Sequence, residues 1–201
     1  MKKKSAIIKM ERGRTAQGLP SNIAASIGRT IARHAFLDYI LLNMISTLLH
    51  VSIKQTRVAI RLPPASRCAA VIKDLIHFLK LRTSYNFKQF GRKLTEADDA
   101  RNVLAHAIFI KDPETKKYRI QITRGSWEFP QDVETVSRAL YPESPFLDRQ
   151  FLATKRAVVE VAIREALLLQ RHIEAALRGL NEIRRTKPEA NRRRTQETDA
   201  S

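Results

Sequence analysis

From Leu147 to Leu180 the chain consists almost entirely of helix formers, and Leu152, Val159, Ile163, Ala166, Ile173, Leu177 and Leu180 recur along it as one continuous apolar seam. A long helix with such a seam buries it only against other elements, so this stretch predicts the spine of a helical bundle. The final segment, "RRTKPEANRRRTQETDAS", loses every apolar residue except alanine, and a break at Pro188 is expected to begin a charged, mobile tail.

The partners of that spine are legible upstream. From Ser21 the sequence turns helical, with a stripe over Ile27, Ile31, Phe36, Ile40, Met44 and Leu48. A bend is expected near His50, and "VSIKQTRVAI" predicts a shorter second helix that Pro63 and Pro64 stop. "ASRCAAVIKDLIHFLKL" carries Ala69, Ile72, Ile76 and Leu79 at helical spacing, with Ser66 as candidate N-cap and an end near Arg82. After the connector "RTSYNF", a fourth helix buries Phe90, Leu94, Ala97, Ala100 and Leu104.

The period then changes. "AIFIKDPETKKYRIQI" alternates, which predicts a hairpin turning at Asp112-Pro113 with Ile108, Ile110, Tyr118, Ile120 and Ile122 on one side. Trp127 and Phe129 supply apolar anchors, "VETVSRAL" a short helical or irregular stretch, and Pro142 and Pro145 interruptions before the spine. The expected fold is all-α, a bundle of about five helices with a small β-hairpin inserted after the fourth. Its expected boundaries are a basic mobile arm over 1–24, the helical domain over 25–182 and the tail over 183–201.

At 201 residues and 43% hydrophobic composition the chain suits one well-cored domain. Lys and Arg number 37 against 20 Asp and Glu, and the net charge of +17 predicts a field that draws in polyanions, nucleic acid first among them. The most apolar stretch, 36 to 53, is interrupted by Asp38, Asn43 and His50, so neither a bilayer span nor a membrane partner is expected. In "MKKKSAIIKMERGR" the apolar run lasts only from Ala6 to Ile8, too short for a signal peptide, and the lone Cys68 within "CAAVI" reads as a buried free thiol. Both point to the cytoplasm.

The fourth helix carries chemistry as well as core. At about 100° per residue, Asp98, Asn102 and His106 follow one another at steps of four, with Asp99 close by, as a polar stripe beside the core face. His106 is therefore expected off the core, while Arg101, about 140° around the axis from it, is expected to reach along the flank without meeting the ring. The same residues also suit an ordinary helix end, with His106 near the C-terminal dipole and Asp98 pairing with Arg101 at the surface.

"RNVLAHA", Arg101 to Ala107, resembles the signature of the HEPN domains (higher eukaryotes and prokaryotes nucleotide-binding): an arginine, a polar residue, three residues, then histidine. These are helical bundles found in many bacterial toxin and abortive-infection systems. The asparagine after the arginine, the small residue after the histidine, the late position in a core helix and the long terminal helix all suit the family, although many members have glycine where this chain has Ala107. The resemblance implies a cytoplasmic, metal-independent endoribonuclease that needs no cofactor. It would act as a homodimer on RNA, with the motifs of both chains lining one cleft; a cognate antitoxin is a candidate further partner, which the sequence leaves open. It gives Arg101 the scissile phosphate, His106 the role of acid or base, and Asn102 the positioning of ring or phosphate. Some HEPN-like domains bind without cutting, so a noncatalytic nucleic-acid-binding or regulatory protein is the alternative.

The division of labour also follows from chemistry. RNA brings its own nucleophile, the 2′-OH, so a proton acceptor near neutral pKa and a fixed cation beside the phosphoryl oxygens suffice. Lys111, Lys116, Lys117, Arg119 and Arg124, on or near the hairpin, are candidate contacts to the RNA backbone, or a solvated turn. Arg192 to Arg194 in the tail are expected to add nonspecific attraction. His34 and Asp38, four apart, are expected to form an ordinary surface pair. His50, His77 and His172 lack metal-ligand spacing, and no cysteine pair, aspartate-rich loop or glycine-rich phosphate loop is present, so no metal and no nucleotide hydrolysis is expected.

Overall fold

The first long helix shows how the sequence sorts itself. In α1 (Ser21–Leu49) the buried residues Ile27, Thr30, His34, Leu37, Leu41, Met44 and Leu48 advance by three and four. The stripe expected through Phe36 is corrected: Phe36 is 41% exposed and Leu37 fully buried. Nine residues at about 100° each put Phe36 half a turn from Ile27, on the other side of the helix. A computed structural model of the chain describes residues 18–61, 63–111, 115–121 and 145–198. Among them are five helices and one two-stranded hairpin, in the all-α arrangement expected.

The bend at His50 is a left-handed residue at φ 55°, after which the chain turns by 100° into α2 (Ile53–Ile60). Ser52 and Gln55 cap that helix reciprocally, side chain to backbone. In α3 (Ala65–Phe78) the N-cap position is Pro64, so Ser66 lies inside the first turn and caps nothing. The helix ends before Arg82 because Lys80 turns left-handed at φ 54° and the Leu81 N–H bonds the Ile76 carbonyl. In α4 (Phe87–His106) the five expected residues, Phe90, Leu94, Ala97, Ala100 and Leu104, are all buried.

The hairpin of β1 (Ile108–Lys111) and β2 (Tyr118–Gln121) forms, but in another register than its alternation suggested. Phe109 stands across from Ile120 and Ile110 across from Arg119, so Phe109 shares the face of buried Ile120. One residue of slip exchanges the two faces of a strand. The Pro145 carbonyl then accepts from Ile120, and Leu147 donates to the Tyr118 carbonyl, which binds the return strand to the start of the last helix. Ile122, Asp112-Pro113, Trp127, Phe129, "VETVSRAL" and Pro142 lie outside the described residues.

The spine, α5 (Arg149–Thr198), buries Val159, Ile163, Ala166, Leu169 and Ile173. It continues through Pro188 to Thr198, where a break was expected. A proline removes one backbone hydrogen bond, and helices accommodate that loss by bending as well as by ending.

Two cores result. The larger joins Leu37, Leu41, Ile72, Phe90, Leu94 and Leu169 from α1, α3, α4 and α5, each fully buried large side chain contributing about 1.5–3 kcal/mol. The smaller joins Ile27, Leu104, Ala107, Ile120, Leu147 and Leu152, with Leu19 and Ile23 against it. Residues 18–24, expected within the basic arm, are thus part of the bundle, and the Tyr118 hydroxyl donates to the Gly18 carbonyl. Cys68 is a buried free thiol, and burial pushes its pKa up to about 12. Among the described residues no single helix is long and apolar enough to cross a membrane.

Candidate functional site

The smaller core sets the end of α4. Leu104 and Ala107, 2% and 5% exposed, face inward on either side of the exposed pair Ala105 and His106. Rotation of the last turn is therefore fixed, and His106 is the final helical residue before the chain extends at Ala107. Arg101 is half-buried, while Asn102 and His106 are exposed.

The three meet. Arg101 Nη1 donates to Asn102 Oδ1 at 2.9 Å and stands 3.2 Å from His106 Nε2. This corrects the expectation that the guanidinium would pass the ring by. Five residues span about 7.5 Å of axis, but side chains lean toward the helix N-terminus, so the ring tilts back to within reach of the long arginine. A guanidinium only donates, so as a hydrogen bond this contact has Nε2 as the acceptor.

Asp98 does not join them. Its side chain turns inward to accept the backbone N–H of Ala65 at 3.2 Å and of Ser66 at 2.9 Å, thereby capping α3 from another helix. It also meets His34 Nε2 at 3.0 Å, while His34 Nδ1 faces Asp38 at 3.3 Å. The expected surface pair of His34 and Asp38 is therefore part of a triad built on a buried ring, with the His34 side chain only 7% exposed and Asp38 at its solvent edge, and the Asp98 to Arg101 pair is absent. Burial alone would lower the His34 pKa, but the hydrogen bonds and charges of Asp38 and Asp98 outweigh it and hold the ring protonated up to about pH 9. Burial raises the Asp98 carboxyl and is overcome by His34 and Ser66, so its pKa lies below the ordinary carboxylate value.

The hairpin cations divide. Lys111, Lys116 and Lys117 are exposed. Arg119 lies over the Phe146 ring at 4.1 Å, with the Lys117 ammonium 5.5 Å from the same ring, so Arg119 has an intramolecular partner. Arg124 and the side chains of Arg192 to Arg194 lie outside the described residues. Among the described residues no group of three His, Cys, Asp or Glu side chains is placed to hold a metal ion.

Sequence reasoning missed the triad, although the signal was present: His34 sits in the series Ile27, Thr30, His34, Leu37, Leu41, whose steps of three and four make it a core position. A histidine there needs buried partners of opposite charge. Compared with protein-family models, curated proteins and solved structures, the chain matches none.

Proposed function

We propose that the protein is a HEPN-like, metal-independent endoribonuclease in which Arg101, Asn102 and His106 form the reactive set. The observation that carries this reading is the 3.2 Å approach of Arg101 to His106 Nε2 at an exposed helix end. Substrate phosphate draws the guanidinium from the ring and takes its charge, leaving Nε2 free to accept the 2′-OH proton. The 2′-oxygen then bonds to phosphorus, the bond to the 5′-oxygen breaks, and that oxygen takes up a proton. The products are a 2′,3′-cyclic phosphate and a 5′-hydroxyl. Asn102 holds the guanidinium through its amide oxygen. The net charge of +17 supports a polyanionic substrate. By the resemblance, two chains face each other across the motif, a cognate antitoxin is a candidate further partner, and the setting is the cytoplasm.

The test is cleavage of single-stranded RNA in EDTA. The wild type is expected to cut, His106→Ala to lose on the order of a hundredfold or more in rate, and 2′-O-methyl RNA to resist. Equal cutting by His106→Ala and wild type refutes the assignment. RNA binding without cleavage, indifferent to His106, assigns the noncatalytic alternative.

A further inference from the structure

A second feature lies at the same end of the bundle. Arg33 bonds Glu160, and further toward both N-termini Ile27 shares the smaller core with Leu152, so α1 and α5 run parallel. Their first turns bound a groove of about 530 Å³. Its floor is apolar, with Leu152 and Ala157, and Asn22 and Ser26 offer polar groups on the α1 side. Arg29, Arg149 and Arg156 line it, all three exposed.

The nearby acids are occupied. Glu160 accepts both Nε and Nη2 of Arg33 at 2.7 Å, and Arg156 reaches it only at 4.0 Å. Asp148 accepts the Phe151 N–H at 2.7 Å. Three cations thus face one concavity whose one lining carboxylate is already paired. Two parallel helix N-termini add partial positive charge to the same place.

We infer that this groove binds the phosphate backbone of single-stranded RNA. Arginine forks fit phosphate oxygens, and a lining without aromatic rings gives bases nothing to stack on, so contact is to the backbone and indifferent to sequence. α4 runs opposite to α1, since Asp98 meets His34 while Leu104 shares a core with Ile27. His106 therefore lies at the groove's end of the bundle, and a strand held there is anchored at the same end as the reactive set. The inference rests on the ribonuclease reading only in choosing RNA among polyanions.

The experiment measures binding in the full-length His106→Ala protein, so that failure of catalysis and failure of the groove remain separate. Fluorescence anisotropy with a labelled uridine oligomer of about 20 nucleotides, titrated across about 50–300 mM KCl, gives affinity and salt slope. Arg29→Gln, Arg149→Gln and Arg156→Gln together are expected to weaken binding about tenfold or more near 100 mM and to reduce the slope by about 2, or about 0.7 for each phosphate released. The control removes equal charge far from the groove, with Lys54→Gln, Lys73→Gln and Lys80→Gln, and is expected to weaken binding less than about threefold. Equal shifts in the two triples overturn the proposal. So does a groove triple that keeps its RNA affinity and loses binding to vesicles of phosphatidylserine and phosphatidylcholine. Should the triple melt differently from its parent, Arg149→Gln alone is read instead, and an unchanged slope there overturns the proposal as well.

Discussion

Raising the pH should unlock the bundle at His34. The ring is protonated in the fold up to about pH 9, against an ordinary value of 6.5 for an exposed imidazole. Because the folded value is the higher one, the contribution to stability is fully present below pH 6.5 and is lost as pH rises through 9. The full difference corresponds to about 3 kcal/mol, and the loss between about pH 6.5 and 8.5 to about 2 kcal/mol. The upper limit matters because Cys68, raised from 9.0 to about 12, also destabilises the fold once the unfolded thiol begins to ionise.

Urea unfolding at intervals of half a pH unit measures the effect directly, as a falling midpoint at constant slope in urea. His34→Gln keeps a polar side chain but removes the titration, so its stability should vary by less than about 0.5 kcal/mol over the same window. A wild type as flat as the variant, or a variant that falls as steeply as the wild type, would show that the two carboxylates do not hold a charge on His34.

Four further outcomes follow from the same contacts. Asp98→Ala uncaps α3 and leaves the His34 charge with Asp38 as its one partner, and should cost about 3 kcal/mol in urea unfolding, whereas a loss under about 1 kcal/mol would mean the Asp98 contacts are dispensable. Arg33→Ala breaks a bidentate pair to Glu160 whose arginine is 41% exposed, and should cost no more than about 1 kcal/mol, less in high salt. His50→Gly relieves a left-handed residue at the end of α1 and should raise stability by about 0.5–1 kcal/mol; a loss would show that the His50 side chain makes compensating contacts. Cys68 should resist alkylation below about pH 9 in the native protein and react fully in urea.

The fold was legible wherever local periodicity and burial coincide. In α4 all five apolar positions at helical spacing are core, and the seam of α5 is buried at Leu152, Val159, Ile163, Ala166 and Ile173. Legibility failed where a contact joins elements distant in sequence. Nothing near Ser66 reveals that its amide will be met by a carboxylate 32 residues on, so the local serine looked like the cap. In the hairpin, apolar residues occupy 108, 109 and 110 alike, and three consecutive candidates leave the choice of face to Ile120 and the smaller core.

The motif helix shows why its polar residues were only half legible. A helical wheel places Asp98, Asn102 and His106 on one flank, yet a flank is where the environment changes along a tilted helix. At Asp98 the neighbours are α1 and the start of α3, which supply a protonated ring and two amides; by Asn102, one turn later, the side chain is exposed. One acid is thus spent on holding three helices together while the residues beyond it remain available to solvent. The two ends are mechanically linked: Asp98 fixes the axial position of α4 against α1 and α3, and Leu104 and Ala107 fix its rotation, so the approach of Arg101 to His106 is set by packing on both sides of it. On that account Asp98→Asn should disturb the motif before it unfolds the bundle, seen as an altered His106 proton resonance at a temperature where helicity is unchanged, and an unaltered resonance would separate the His34 cluster from the motif.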